Sequence, residues 1–181
     1  MKLRTAVVAL PLLLAACGGD DDAPPTTTMA AETTTTETTP ASAPQAALTG
    51  FTECTDPPGD GAGADLISAT LGVQGQVLTI SYQTAAPLPG PSFSYYINIF
   101  SAGYQIGLRS IDGEVFRLVA DLTEGGQENL TTSYTLDGNL ATLVVPLSAL
   151  PRLAQPFDYS AVITVDGVDV DKCDGTFRAA E

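Results

Sequence analysis

The sequence predicts an all-β domain: a two-sheet antiparallel β-sandwich of about eight or nine strands, placed after an N-terminal tether. Three observations predict this fold class. From residue 49 onward, apolar and polar residues alternate with the period of two that strands show when one face is buried. Turn-forming residues separate the alternating runs at short, regular intervals. No segment keeps a helical period over three turns, so two sheets packed face to face are expected to bury the apolar faces.

The alternation places the strands in chain order. The residues expected to face the core are, strand by strand, Ile67, Ala69, Leu71 and Val73; Leu78, Ile80 and Tyr82; Phe93, Tyr95, Ile97 and Ile99; Tyr104, Ile106 and Leu108; Phe116, Leu118 and Ala120; Tyr134 and Leu136; Ala141, Leu143 and Val145; Tyr159, Ala161, Ile163 and Val165. Asp112-Gly113 and Asp137-Gly138 are typical of tight hairpin turns.

The first residues have the pattern of an export signal. Lys2 and Arg4 precede an apolar run that ends in Leu14-Ala15-Ala16-Cys17. This tetrapeptide resembles the lipobox of bacterial lipoproteins. The resemblance implies cleavage of a signal peptide, residues 1–16, and lipid attachment to the Cys17 sulfur. The expected location is therefore the extracytoplasmic face of a bacterial cell membrane, with the lipid as the membrane partner. The alternative is an ordinary secretory signal in which Cys17 is incidental.

Residues 17–48 are rich in Thr, Pro, Ala and acidic residues and contain almost no bulky apolar side chain. Such a composition cannot bury enough surface to offset the entropy of ordering, so it predicts a disordered linker. The predicted organisation is thus a signal peptide (1–16), a lipid-anchored linker (17–48) and a β-sandwich domain (49–181).

Composition excludes several functions. The formal net charge is −14, which argues against a nucleic-acid partner. The chain has no His, so it has neither a Ser-His-Asp triad nor a His-ligated zinc site. In the predicted domain, Glu53, Glu114, Glu124 and Glu128 stand in turns or at strand ends, outside the apolar settings that tune a catalytic carboxyl. We therefore expect a protein that is not an enzyme.

Three cysteines are present, and lipid on Cys17 would leave Cys54 and Cys173. An even pair in an exported protein usually forms a disulfide. These two residues stand near the two ends of the predicted domain, so the bridge would close almost the whole of it.

Aspartates gather at the same two ends. Asp56, Asp60 and Asp65 surround a Pro-Pro-Gly turn, and a second group follows Ile163, made up of Asp166, Asp169, Asp171 and Asp174. A Cys54–Cys173 bridge would bring the groups together. Carboxylate oxygens suit Ca²⁺, and the candidate ligands are Asp56, Asp60, Asp65, Asp171 and Asp174. The alternative is that these aspartates are turn residues with solvated carboxylates.

A second candidate site lies on the face opposite to the predicted core residues of three neighbouring strands. If those core residues are right, the opposite face carries Tyr96, Asn98 and Phe100, then Gln105 and Arg109, and then Arg117. Aromatic, amide and guanidinium groups together suit a sugar or an anionic ligand. Val115 and Val119, expected on this face, suit a protein partner instead. The remaining alternative is an ordinary outer sheet face.

Two segments carry a family resemblance. Asp56-Pro57-Pro58-Gly59-Asp60 with Asp65-Leu66-Ile67-Ser68-Ala69, and later Leu143-Val144-Val145-Pro146-Leu147-Ser148-Ala149-Leu150, resemble β-sandwich modules related to family 9 carbohydrate-binding modules and DOMON-like domains. The resemblance implies a sandwich, often with structural Ca²⁺, that binds sugars, haem or no known ligand. The chain lacks the Trp that sugar-binding members stack on sugars and the His that ligates haem, so haem is not expected.

The sequence therefore predicts a lipid-anchored, extracytoplasmic, non-catalytic binding module with a glycan, Ca²⁺ or an envelope protein as its ligand. The alternative is a structural or accessory lipoprotein that acts only through protein contacts.

Overall fold

A computed structural model describes residues 49–178 and 180. These residues form eleven strands and one 3₁₀ turn. The strands are β1 (Gly50–Thr55), β2 (Leu66–Gln74), β3 (Val77–Thr84), β4 (Phe93–Ile99), β5 (Tyr104–Ile111), β6 (Glu114–Asp121), β7 (Gln127–Asn129), β8 (Tyr134–Asp137), β9 (Leu140–Pro146), β10 (Phe157–Val165) and β11 (Val168–Phe177), and the 3₁₀ turn spans Leu147–Ala149. The predictions made for residues 1–48, Cys17 included, lie outside the described part of the chain.

The strands form two sheets, and every pairing is antiparallel. One sheet has the order β1-β2-β3-β9-β8, and the other has the order β11-β10-β4-β5-β6-β7. Their apolar faces meet in a single core, whose largest fully buried side chains include Tyr82, Tyr95, Phe177, Ile97 and Leu143. The predicted all-β sandwich is confirmed.

Two hairpins show why Asp-Gly pairs matter. Asp112-Gly113 joins β5 to β6, and both residues have positive φ, 53° and 85°. Asp166-Gly167 joins β10 to β11 with φ values of 50° and 79°. Two positive φ angles define a turn whose twist matches the flanking strands. At the third pair the strand continues through Asp137, so the turn is Gly138-Asn139, one residue later than predicted.

Three strands were not predicted: β1, β7 and β11. All three are edge strands of their sheets. An edge strand is largely solvated, and β7 is exposed along its whole length, so none of the three shows a clean apolar alternation. The Asp166-Gly167 turn signal was present in the sequence and would have predicted β11.

The predicted orientation of β6 is wrong. In the β5–β6 register, Ile106 pairs with Val119 and Leu108 pairs with Arg117. Paired residues project to the same face, and Ile106 and Leu108 are in the core. Val115, Arg117 and Val119 therefore face inward, whereas the predicted core residues Phe116, Leu118 and Ala120 face outward.

The two sheets are joined where β1 and β11 meet. A Cys54–Cys173 disulfide links them, with the two Cα atoms 5.7 Å apart, which confirms the predicted bridge. The Thr52 hydroxyl donates a hydrogen bond of 3.1 Å to the Thr176 carbonyl. Within the described residues no helix is both long and apolar enough to cross a membrane.

Candidate functional site

An open cleft lies on the outer face of the six-stranded sheet, across β10, β4 and β5. Three cross-strand rows build it: Thr164–Ser94–Arg109, Val162–Tyr96–Gly107 and Ser160–Asn98–Gln105. The cleft has a volume of about 490 Å³, and Asp166 and Asp169 lie at the end where β10 turns into β11.

Small side chains form the floor of the cleft and larger ones form its walls. Ser94, Val162 and Thr164 are 5 to 7% exposed, although they lie on an outer sheet face. The neighbouring long side chains of Tyr96 and Arg109 project above this floor. A sheet face with buried small residues beside tall ones is concave, and concavity is what a ligand site requires.

Gly107 allows the Tyr96 ring to lie against the sheet. A Cβ atom on Gly107 would stand 2.6 Å from Tyr96 Cδ1 and would also overlap the Tyr95 carbonyl oxygen. No side chain larger than hydrogen fits there without moving the ring or the neighbouring strand. The orientation of the Tyr96 ring thus depends on a glycine in the next strand.

The polar groups of the cleft are arranged as donors and acceptors. Gln105 Nε2 donates a hydrogen bond of 3.0 Å to Asn98 Oδ1. This bond leaves the Asn98 amide hydrogens as donors and Gln105 Oε1 as an acceptor. The Arg109 side chain is exposed, and within the described residues it makes no ion pair. Its planar guanidinium is therefore free to bind a ligand in a bidentate manner.

The structure brings together four of the six residues predicted for this face: Tyr96, Asn98, Gln105 and Arg109 line the cleft. Phe100 follows directly after the end of β4 and does not line the cleft. Arg117 does not, because the β6 register turns it to the inner face. Its guanidinium carbon lies 5.2 Å from the centroid of the Tyr134 ring, in the other sheet, and its Nη1 donates to the Thr132 carbonyl at 3.5 Å. Arg117 therefore links β6 of one sheet to Tyr134 of the other sheet and does not contact the cleft.

Sequence reasoning missed the contribution of β10. Ser160, Val162 and Thr164 alternate with the core residues Ala161 and Ile163, so the sequence placed them on the outer face. What it did not show is that β10 lies beside β4, a pairing between residues more than sixty positions apart. Non-local strand order leaves no local signal in one sequence.

A second candidate site is the acidic cluster, formed by Asp56, Asp60 and Asp171. One carboxylate oxygen from each lies within 4.8 Å of the others. Asp171 Oδ2 accepts a hydrogen bond of 2.7 Å from the Leu66 amide, which fixes this carboxylate between the sheets. Three convergent carboxylates supply only part of the six to eight oxygens that Ca²⁺ takes. Ca²⁺ binding at this cluster therefore stays a prediction.

The other two predicted ligands have different places. Both oxygens of Asp65 accept from the Gly59 amide, at 2.9 and 3.0 Å, so this side chain closes the Pro-Pro-Gly turn. Asp174 projects to the outer face beside Ser160, and its Oδ2 lies 4.0 Å from Lys172 Nζ. The disulfide sets this division, because Cys173 faces the core, and strand alternation then puts Asp171 inside and Asp174 outside.

Burial and, after it, neighbouring negative charge raise the pKa of the Asp56 carboxyl. Burial, then the charge of Asp171 and the proximity of Asp60, raise the pKa of the Asp56 carboxyl from 3.8 to about 6. Its Oδ2 atom is buried and has no hydrogen-bond partner within the described residues. The cluster therefore favours a bound proton or a cation over three free negative charges.

No protein-family model, curated protein or solved structure matches this chain. The resemblance to family 9 carbohydrate-binding modules and DOMON-like domains thus stays a prediction from the segments that carry it. The function has to be inferred from the chemistry of the cleft and of the acidic cluster.

Proposed function

We propose that this protein is a non-catalytic carbohydrate-binding module, anchored by lipid on Cys17 to the extracytoplasmic face of a bacterial membrane. The observation that supports binding is the cleft itself: small buried residues beneath Tyr96, Asn98, Gln105 and Arg109. The expected partners are a glycan through the cleft and the membrane through the lipid, with no nucleic acid.

The chemistry of the cleft suits a sugar better than an apolar ligand. Sugar hydroxyls both donate and accept, and the cleft offers amide donors on Asn98, an acceptor on Gln105 and a bidentate donor on Arg109. The Tyr96 ring, which lies against Gly107, supplies one aromatic surface for the apolar face of a sugar ring. A small-molecule site is usually concave and contains an aromatic ring and a few convergent polar groups.

A glycan array with matched variants tests the proposal. Specific binding by the wild type should fall about tenfold or more in Arg109→Ala and in Tyr96→Ala, since each change removes a contact worth on the order of 1–2 kcal/mol. Arg178→Ala is the control, because Arg178 is an exposed arginine near the C-terminus, just past the end of β11 and outside the cleft. Equal loss in Arg178→Ala would mean that only overall charge matters.

The alternative function, a structural or accessory lipoprotein, predicts a different outcome. The array would give no specific signal, and crosslinking in cells would trap one envelope protein. Such a result would move the functional surface away from the cleft.

The lipid anchor has its own test. Cys17→Ser should release the protein from the membrane fraction or block its processing, because a thioether lipid requires the cysteine sulfur. Fractionation with immunoblotting measures this. A Cys17→Ser protein that is still processed and membrane-bound would contradict the anchor.

A further inference from the structure

Phe100 is exposed to an unusual degree for its size. The side chain is 70% exposed and follows directly after the end of β4. It borders a distal depression of about 330 Å³, which is lined by Phe100, Asp158, Tyr159, Asp174, Gly175 and Thr176. An exposed aromatic ring at a depression is typical of a contact surface.

The distal depression continues the cleft along the same sheet face. In β10, Asp158 precedes Ser160, Val162 and Thr164 at successive steps of two, so all four project to the outer face. Asp174 pairs with Ser160, and Thr176 pairs with Asp158. The row Ser160–Asn98–Gln105, which forms one end of the cleft, therefore lies next to the distal depression on the same face, and no strand of the described residues crosses this face between them.

Taken together, the cleft and the distal depression extend along most of β10 and include two aromatic residues, Tyr96 and Phe100. From Thr164 to Asp158 the strand advances six residues, which is about 20 Å at 3.3 Å per residue. Tyr96 and Phe100 are four residues apart, or about 13 Å by the same rise. This backbone spacing exceeds the length of one sugar, and Asn98, hydrogen-bonded to Gln105, lies between the two residues in the chain.

The charges of the groove select against an acidic ligand. Asp166 and Asp169 lie at the cleft end, and Asp158 and Asp174 lie at the distal end. Arg109 lines the cleft, and Lys172 is 4.0 Å from Asp174, so the cations do not outnumber the carboxylates. A polyanion would meet like charge at both ends of the groove.

We infer that the cleft and the distal depression are two ends of one groove that binds a linear, uncharged polysaccharide along its length, with Phe100 as the second stacking platform. This inference rests on the proposed function and adds the ligand class. It distinguishes a chain-binding module from one that holds a single sugar or a chain end.

The test is calorimetry of the full purified protein with two neutral size series, cello-oligosaccharides and chito-oligosaccharides, from disaccharide to hexasaccharide. For at least one series the affinity should rise about tenfold between disaccharide and hexasaccharide, as a second aromatic contact is added. Phe100→Ala should abolish this rise and leave the disaccharide affinity unchanged. Phe51→Ala is the matched control, because Phe51 is 69% exposed and lies on β1 of the other sheet.

The outcomes separate the two proposals. Disaccharide binding that is lost in Arg109→Ala but shows no gain with length, or a gain that survives Phe100→Ala, would overturn the groove and keep the proposed function. Tighter binding of oligogalacturonates than of both neutral series would overturn the uncharged ligand class. No binding of any of these probes by the wild type would overturn the inference together with the carbohydrate proposal.

Discussion

The acidic cluster and the cleft are built in opposite ways. Asp56 and Asp171 come from the two ends of the domain and meet because β1 and β11 are joined by the Cys54–Cys173 disulfide. The cleft is formed by three neighbouring strands of one sheet, and its side chains project from strands that are hydrogen-bonded to one another. The cluster is therefore coupled to the closure of the domain, whereas the cleft is preformed by the sheet.

Breaking the disulfide should give the largest effect and should separate the two sites. The bridge closes a loop of 119 residues, so Cys54→Ser with Cys173→Ser should lower the free energy of unfolding by about 4–5 kcal/mol. Denaturant unfolding measures this. At low temperature, where the variant is still folded, the glycan affinity of the cleft should be unchanged. Loss of that affinity in the folded variant would show that the cleft also depends on the closure.

Gly107→Ala should damage the cleft and spare the cluster. The new Cβ would overlap the Tyr95 carbonyl oxygen and press on the Tyr96 ring, so we expect a loss of about 1–3 kcal/mol in stability. Glycan binding should be lost with it. Gly72→Ala in β2 is the matched control, because its Cβ would meet only Phe51 Cδ2, at 3.8 Å. Equal destabilisation by both changes would mean that the Tyr96–Gly107 contact has no special role.

With a chelator present to remove divalent cations, the acidic cluster should make the stability of the protein depend on pH. The pKa of Asp56 is about 6 in the folded protein, above its ordinary value of 3.8, so its protonated form favours the fold. That contribution is complete below pH 3.8 and is lost as the pH rises through about 6. The melting temperature of the wild type should therefore fall over this range relative to Asp56→Asn. A constant difference between the two proteins would contradict the raised pKa.

The same melt gives the Ca²⁺ arm of this experiment. At neutral pH, Ca²⁺ at a hundredfold excess over its dissociation constant would stabilise the wild type by about 2.7 kcal/mol. Asp60→Asn should remove this gain, because Asp60 belongs to the cluster. Asp174→Asn should retain the gain, because Asp174 lies outside the cluster. No change in the wild type would leave the cluster as a proton-binding site only.

Alternation was sufficient to predict the sandwich, because central strands must place apolar residues on one face. Alternation failed for β6, because this strand has apolar residues on both faces: Val115 and Val119 on one, Phe116 and Leu118 on the other. The pattern alone therefore does not decide which face of β6 is buried. The aliphatic part of Arg117 is accommodated inside because its cation reaches Tyr134. A single sequence contains no record of that cross-sheet contact.

The acidic residues teach a related lesson. The disulfide was predicted, and strand parity from Cys173 would have separated Asp171 from Asp174 had β11 been recognised. It was not recognised, because a run of aspartates resembles a solvated loop more than a strand. The concavity of the cleft, in turn, depends on strand order across more than sixty residues, which no local pattern reports.

The most direct test of the central claim is an amide chemical-shift titration of the purified protein with the glycan that the array selects. We predict that the largest shifts fall in β4, β5 and β10, at residues 94–98, 105–109 and 160–164. Shifts confined to the outer face of the five-stranded sheet, around Phe51 and Gly72, or to the acidic cluster would contradict the cleft as the binding site.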